Sequence, residues 1–139
     1  MSEQDNVRLV QEGYADFSRG DIATLLGKFA ADIEWVEPGV KHNPLTGTYK
    51  GHSGVTEFFK RLSELTELTM FEPLEFIAQG DKVVVLGREA GRVKSTGRTF
   101  EANWAMAFTV RNGKVTRFQE YTDTANIEAA FGSPQSASA

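Results

Sequence analysis

The sequence predicts an α+β fold, with helices gathered at one side of a curved antiparallel sheet. Three observations carry that expectation. Apolar residues recur at helical spacing through the first half of the chain, the period changes to two beyond Thr69, and turn signals then cut the remainder into hairpins. The element order read this way is α-α-β-α-β-β-β-β-α.

The first helix is read from Val7, Val10, Tyr14 and Phe17, which fall on one stripe, with Ser2 or Asp5 available as N-cap and Arg19-Gly20 as its stop. Asp21 can cap a second, shorter helix carrying Ile22, Leu25, Leu26 and Phe29, weakened by Gly27. A strand follows at IEWVEPG, residues 33–39. After the loop-forming HNPLTGTYKG, Ser53 is expected to cap a third helix with Val55, Phe58, Phe59 and Leu62 on one face. Turn signals at Gln79-Gly80-Asp81, Ser95-Thr96-Gly97 and Asn112-Gly113 place four strands at roughly 70–78, 82–94, 99–111 and 114–122. A short helix over Asn126 to Phe131 closes a single domain, residues 1–131, and GSPQSASA at 132–139 reads as a flexible tail.

Composition narrows the function classes. The chain has 139 residues, enough for one domain with a sizeable core, 40% apolar and 24% charged. A net charge of −4 supplies no basic field for a phosphate backbone, so nucleic acid is not an expected partner. Cysteine is absent and there are two histidines, His42 and His52, which excludes disulfide and thiolate chemistry and gives no convincing metal set. The start MSEQDNVR lacks the pattern of a signal peptide, and no apolar run reaches bilayer length, so a cytoplasmic protein without membrane association is expected.

Alternation along the strands selects the residues that can face a cavity. Ile33, Trp35 and Glu37 share one side of the first strand, so Glu37 either reaches solvent where Pro38-Gly39 ends the strand or sits in an apolar hollow. In the hollow, desolvation would raise its pKa and suit it to proton transfer. Trp104, Met106 and Phe108 form a bulky inward row, and Phe118 fixes the phase that carries Glu120 to the same side. Val84, Leu86, Arg88 and Ala90 form one candidate inward row, which would let Arg88 meet Glu120 as a buried pair or a structural salt bridge. The complementary row, Val83, Val85 and Gly87 with Ala105 and Ala107, would then form a flat outer surface suited to a homodimer. Tyr14, Tyr49 and Trp104 each carry a donor for a ligand oxygen and are equally at home as packing residues.

These residues resemble the NTF2-like superfamily, in its SnoaL-like and ketosteroid-isomerase-like branch. The resemblance runs from Val7 to about Ile127 and rests on Tyr14 followed by RGDIATLLGKFAADIEWVEPG, then GTYKGHSGVTEFF, then GRTFEANWAMAFTVRNGKVTRFQEYTD. It implies a cone-shaped α+β barrel with a deep apolar pocket, a homodimer, and no metal or organic cofactor. Glu37-Pro38 falls where the isomerases carry an acidic general base followed by proline, and Tyr14 matches the tyrosine that donates to the substrate oxygen. Their second oxyanion donor would fall at Met106, which cannot donate. The resemblance also places Arg88 and Glu120 in the pocket.

The expectation is therefore a small-molecule enzyme of isomerase, cyclase or hydratase type acting on an apolar, polyketide- or steroid-like substrate. Glu37 and Tyr14 are the catalytic candidates; Phe17, Trp35, Tyr49, Phe59, Arg88, Trp104, Met106 and Glu120 are the candidates for substrate binding. The alternative is a noncatalytic protein that sequesters a small apolar ligand, since one fold hosts both. An interaction scaffold devoted to dimerisation is a third reading.

Overall fold

The computed structural model describes residues 2–39 and 42–132. Helix α1 spans Glu3–Ser18, α2 Ile22–Leu26, α3 Gly51–Leu65 and α4 Thr124–Phe131. Strands run over β1 Phe29–Glu37, β2 Gly47–Lys50, β3 Thr66–Gln79, β4 Lys82–Val93, β5 Thr99–Arg111 and β6 Lys114–Thr122. Of the tail expected to be flexible, 133–139 lies outside the described residues.

Local chemistry explains most of the boundaries. Ser2 Oγ accepts from the Asp5 amide while Asp5 Oδ2 accepts from the Ser2 amide, each at 3.1 Å, a reciprocal box that satisfies donors at the start of α1. Asp21 caps α2 by accepting from the Thr24 amide, and Asp123 caps α4 by accepting from Asn126. The third helix differs from expectation. It begins at Gly51, not after Ser53, because β2 feeds straight into it; Gly51 makes the reversal at φ +70°. Asn112 and Gly113 have φ of 52° and 73°, the left-handed pair that a tight hairpin between β5 and β6 requires.

The six strands form one curved, unclosed sheet in the order β2-β1-β6-β5-β4-β3. All neighbours are antiparallel except β1 and β6, which run parallel with Trp35 opposite Phe118 and Val36 opposite Gln119. Strand β2 is an addition to the expected order. Its four residues, GTYK, sit among loop-forming prolines and glycines and gain strand geometry by pairing with Glu34–Glu37.

Along the concave face the core is continuous, with Ile33, Val55, Val83, Val85 and Phe118 at most 1% exposed. This overturns the expected phase of β4. Val83, Val85 and Gly87 face inward, not toward a partner, and Arg88 faces outward, where its Nε donates to Glu72 Oε1 of β3 at 2.6 Å. Arg88 therefore forms no pair with Glu120 and is no pocket residue. Gly87 shows what fixes the phase: a Cβ there would lie 2.4 Å from the Trp104 ring and 2.5 Å from the Glu72 carbonyl oxygen. Only glycine lets the indole lie against the strand. Moving the inward row by one residue brings Glu89 to the concave side in place of Arg88.

Candidate active site

The concave face, α1, α3 and α4 enclose a predominantly apolar cavity of about 120 Å³. Tyr14, Phe17, Trp35, Glu37, Phe59, Met106 and Glu120 all line it, together with Glu89, which the sequence reading missed. Three expected site residues do not line it: Arg88, Tyr49 and Trp104. The Tyr49 hydroxyl donates to the Leu45 carbonyl at 2.9 Å and its ring packs on Phe58, so it anchors the loop after β1. Trp104 lies behind the wall, stacked on Tyr14 and Phe71 with ring centroids 6.0 and 5.1 Å apart. Its indole N–H is buried without a partner.

Glu37 closes the alternating face of β1, and the question of its exposure has a clear answer: it is 8% exposed. Pro38, Asn43 and Leu45 also border the cavity, so the chain after the strand covers the carboxyl instead of releasing it to water. Trp35, two residues earlier on the same face, donates its indole N–H to Glu37 Oε2 at 2.7 Å. The Trp35 ring stacks on Phe118 at 3.7 Å with the planes 15° apart, which fixes the direction of that donor.

Parallel pairing of β1 with β6 then sets Glu120 beside Glu37, one step beyond the Val36–Gln119 pair. The two carboxyls are hydrogen-bonded to each other. Burial pushes the pKa of Glu37 well above the ordinary carboxylate range, and the neighbouring Glu120 charge and hydrogen bond push it the same way, while the Trp35 N–H opposes them. Glu120 is raised by burial as well, against the lowering effect of its bond to Glu37. Two like charges in contact within an apolar cavity cannot both form cheaply, so burial and mutual repulsion favour keeping a proton on the pair. Glu89, with its pKa pushed up to about 8 by burial and then by Glu120, adds a third carboxyl to the same wall.

Among the described residues that line the cavity, no cation is free to offset these acids. Lys28 borders the cavity, but its ammonium is paired with the buried Asp16, which also accepts from Arg19 Nη2 at 2.6 Å. Tyr14 faces the acids from α1. Its hydroxyl donates to Met106 Sδ at 3.1 Å, and burial followed by the Glu120 charge raises its pKa, so it stays a neutral donor. Sulfur is a weak acceptor, and a ligand oxygen could displace it. Among the described residues no group of histidine, cysteine or acidic side chains is arranged to hold a metal. Nor is any described helix long and apolar enough to cross a membrane.

A curved sheet packed around helices, with acids and a tyrosine inside an aromatic cavity, is the architecture of NTF2-like proteins. The family model described as a SnoaL-like domain matches residues 10–118, and the chain belongs to that family. An NTF2-like protein from Burkholderia xenovorans has a crystal structure that superposes with a TM-score of 0.87 at 46% identity, covering 95% of this chain and 99% of that one. The structure of TerC co-crystallised with polyporic acid matches with a TM-score of 0.80 at 32% identity, over 93% of this chain and 99% of that one. An uncharacterised protein of Mycobacterium tuberculosis is 31% identical over 130 residues, 93% of this chain and 98% of its own length.

Proposed function

We propose that this protein is a small-molecule enzyme of the isomerase or cyclase type, in which the Glu37–Glu120 pair moves a proton on a substrate held in the aromatic cavity. The observation that carries the reading is the hydrogen bond between two buried carboxyls, one of which also receives the Trp35 N–H. In its singly protonated state such a pair contains a base and an acid side by side. The Trp35 donor favours negative charge on Glu37 while the contact with Glu120 opposes it, and the reading assigns catalysis to the form of the pair in which Glu37 is the ionised base and Glu120 holds the proton. Glu37 would take a proton from the carbon beside a substrate carbonyl and become neutral. The C–H electrons move into an enolate whose oxygen accepts a hydrogen bond from Tyr14 in place of Met106 Sδ. Return of the proton from Glu37 to a different carbon completes an isomerisation; attack of the enolate carbon on a second carbonyl, with the Glu37 proton delivered to the alkoxide that forms, completes a ring closure.

In this reading the donor lacking at Met106 is replaced from elsewhere in the cavity. Glu120, reached from β6, supplies a neutral acid from another strand. The crystallisation of TerC with polyporic acid supports a small organic ligand for this chain as well.

Hydrogen–deuterium exchange at the α-carbon of cyclohexanone, followed by NMR in heavy water, tests the reading with a single-ring ketone. The wild-type protein should accelerate exchange, and Glu37→Gln should remove the acceleration by about 10³-fold while keeping ketone affinity within about threefold. Exchange that is equally fast in both proteins would reject Glu37 as the base. Binding without any exchange would instead favour a ligand carrier.

The expected homodimer is proposed on the outer sheet face with a corrected set of residues. Register aligns Ile77, Val84 and Ala107 in one row and Leu86, Ala105 and Tyr121 in another, and Ile77 and Tyr121 are 51% and 54% exposed. Apolar rows of this kind suit a second copy of the sheet better than water. Sedimentation as a monomer at micromolar concentration would refute it.

A further inference from the structure

Beside the enclosed cavity lies a second, open cleft of about 540 Å³ between the end of α1, α2 and α3. Five residues border both spaces: Phe17, Phe59, Leu62, Thr66 and Leu68. The two spaces are neighbours that share these lining residues. The ring pair Phe17–Phe59, with centroids 5.7 Å apart, stands between them, and neither ring is fully buried. Such a partition consists of side chains from two different helices, which can separate by rotamer changes without disturbing the sheet.

The volumes argue that the ligand uses both rooms. A cavity near 150 Å³ accommodates about one benzene ring, so the 120 Å³ inner chamber holds no more than a single small ring. Ligand sites for organic molecules of ordinary size run to several hundred Å³. The outer cleft supplies the missing space, and its floor is the apolar set Phe17, Ile22, Phe59, Leu62 and Leu68. Its rim carries Thr56, Lys60 and Ser63, all exposed. We infer that the substrate is an elongated molecule, with a compact ring or carbonyl head in the acid-bearing chamber and an apolar arm that passes between Phe17 and Phe59 into the α1–α3 cleft. This rests on the reading of the inner chamber as the place where the reacting head sits.

Phenol, para-propylphenol and para-hexylphenol serve as probes of head plus arm, with binding read from the quenching of tryptophan fluorescence in the intact chain. A buried methylene is worth about fourfold in affinity, so an arm housed in the cleft should raise affinity at least tenfold from the propyl to the hexyl compound. Thr56→Trp adds bulk to the cleft from an exposed helix position that borders the cleft and not the inner cavity. It should cut the propyl-to-hexyl gain below about threefold while leaving phenol affinity unchanged, and Thr56→Ala should retain the full gain. Equal affinity along the series, no binding by any member, or a Thr56→Trp protein with the full gain would overturn the inference. Failure here is separable from failure of the proton-transfer reading: a flat series leaves the Glu37-dependent deuterium exchange of cyclohexanone, a single-ring ketone, intact, and loss of that exchange leaves the dependence on arm length intact.

Discussion

Trp35 donates its indole N–H to the Glu37 carboxylate at 2.7 Å from two residues away on the same strand, while its ring is stacked face to face on Phe118. One side chain thus packs the core and directs the charge of the buried acid. Separating those roles is experimentally simple, because phenylalanine keeps an aromatic face and loses the donor.

Trp35→Phe should raise the pKa of Glu37 further, since the donor it removes favours the ionised form. The acidic limb of the kcat/KM profile for an active substrate would then move upward by about one pH unit. A fall in rate with no movement of that limb would assign Trp35 to packing alone.

Tyr14→Phe separates catalysis from stability in a similar way. The hydroxyl's partner is a thioether, so its loss should change folding stability by less than about 1 kcal/mol. If it stabilises an enolate oxygen, kcat should fall by about 10²-fold. Unchanged turnover would make Tyr14 a wall residue, fixed by its stacking on Trp104.

Glu89 predicts how stability depends on pH. Its pKa stands at about 8 in the folded protein against 4.5 for the unperturbed group, so the folded chain holds the extra proton between those values. Its contribution is fully present below the lower value and is lost as pH rises toward the upper one, with a slope of at most about 1.4 kcal/mol per pH unit. Thermal unfolding followed by circular dichroism should show the midpoint falling across that window, and Glu89→Gln should flatten the fall. An unchanged slope in the variant would place the Glu89 carboxyl in water.

The contrast between Glu89 and Glu120 shows how much of the site was legible in the sequence. Glu120 follows Phe118 by two residues, and a large aromatic in a strand otherwise rich in polar residues fixes which side is inward. Glu89 follows Val83-Val84-Val85-Leu86, a run apolar at every position, in which alternation carries no phase. The phase of β4 is set instead by Gly87 against the Trp104 ring, a contact between strands that spacing within one strand does not reveal. A shift of one residue then exchanged Arg88 for Glu89 and turned an expected ion pair into a group of three acids. The α+β class, Tyr14 on the core stripe and the common side of Trp35 and Glu37 follow from local periodicity. The burial of Glu37 does not, because it depends on Pro38, Asn43 and Leu45 and on a β6 residue 83 positions later. Likewise β2, four residues long, exists through pairing with β1.

The shared proton of Glu37 and Glu120 is open to direct observation by carbon NMR of the glutamate side-chain carboxyls across a pH titration, with Glu37→Gln and Glu120→Gln proteins identifying the two signals. The pair should titrate as a coupled unit and remain partly protonated at pH 7, far above the roughly 4.3 of a free glutamate. Two independent signals that both finish ionising below pH 6 would contradict the account.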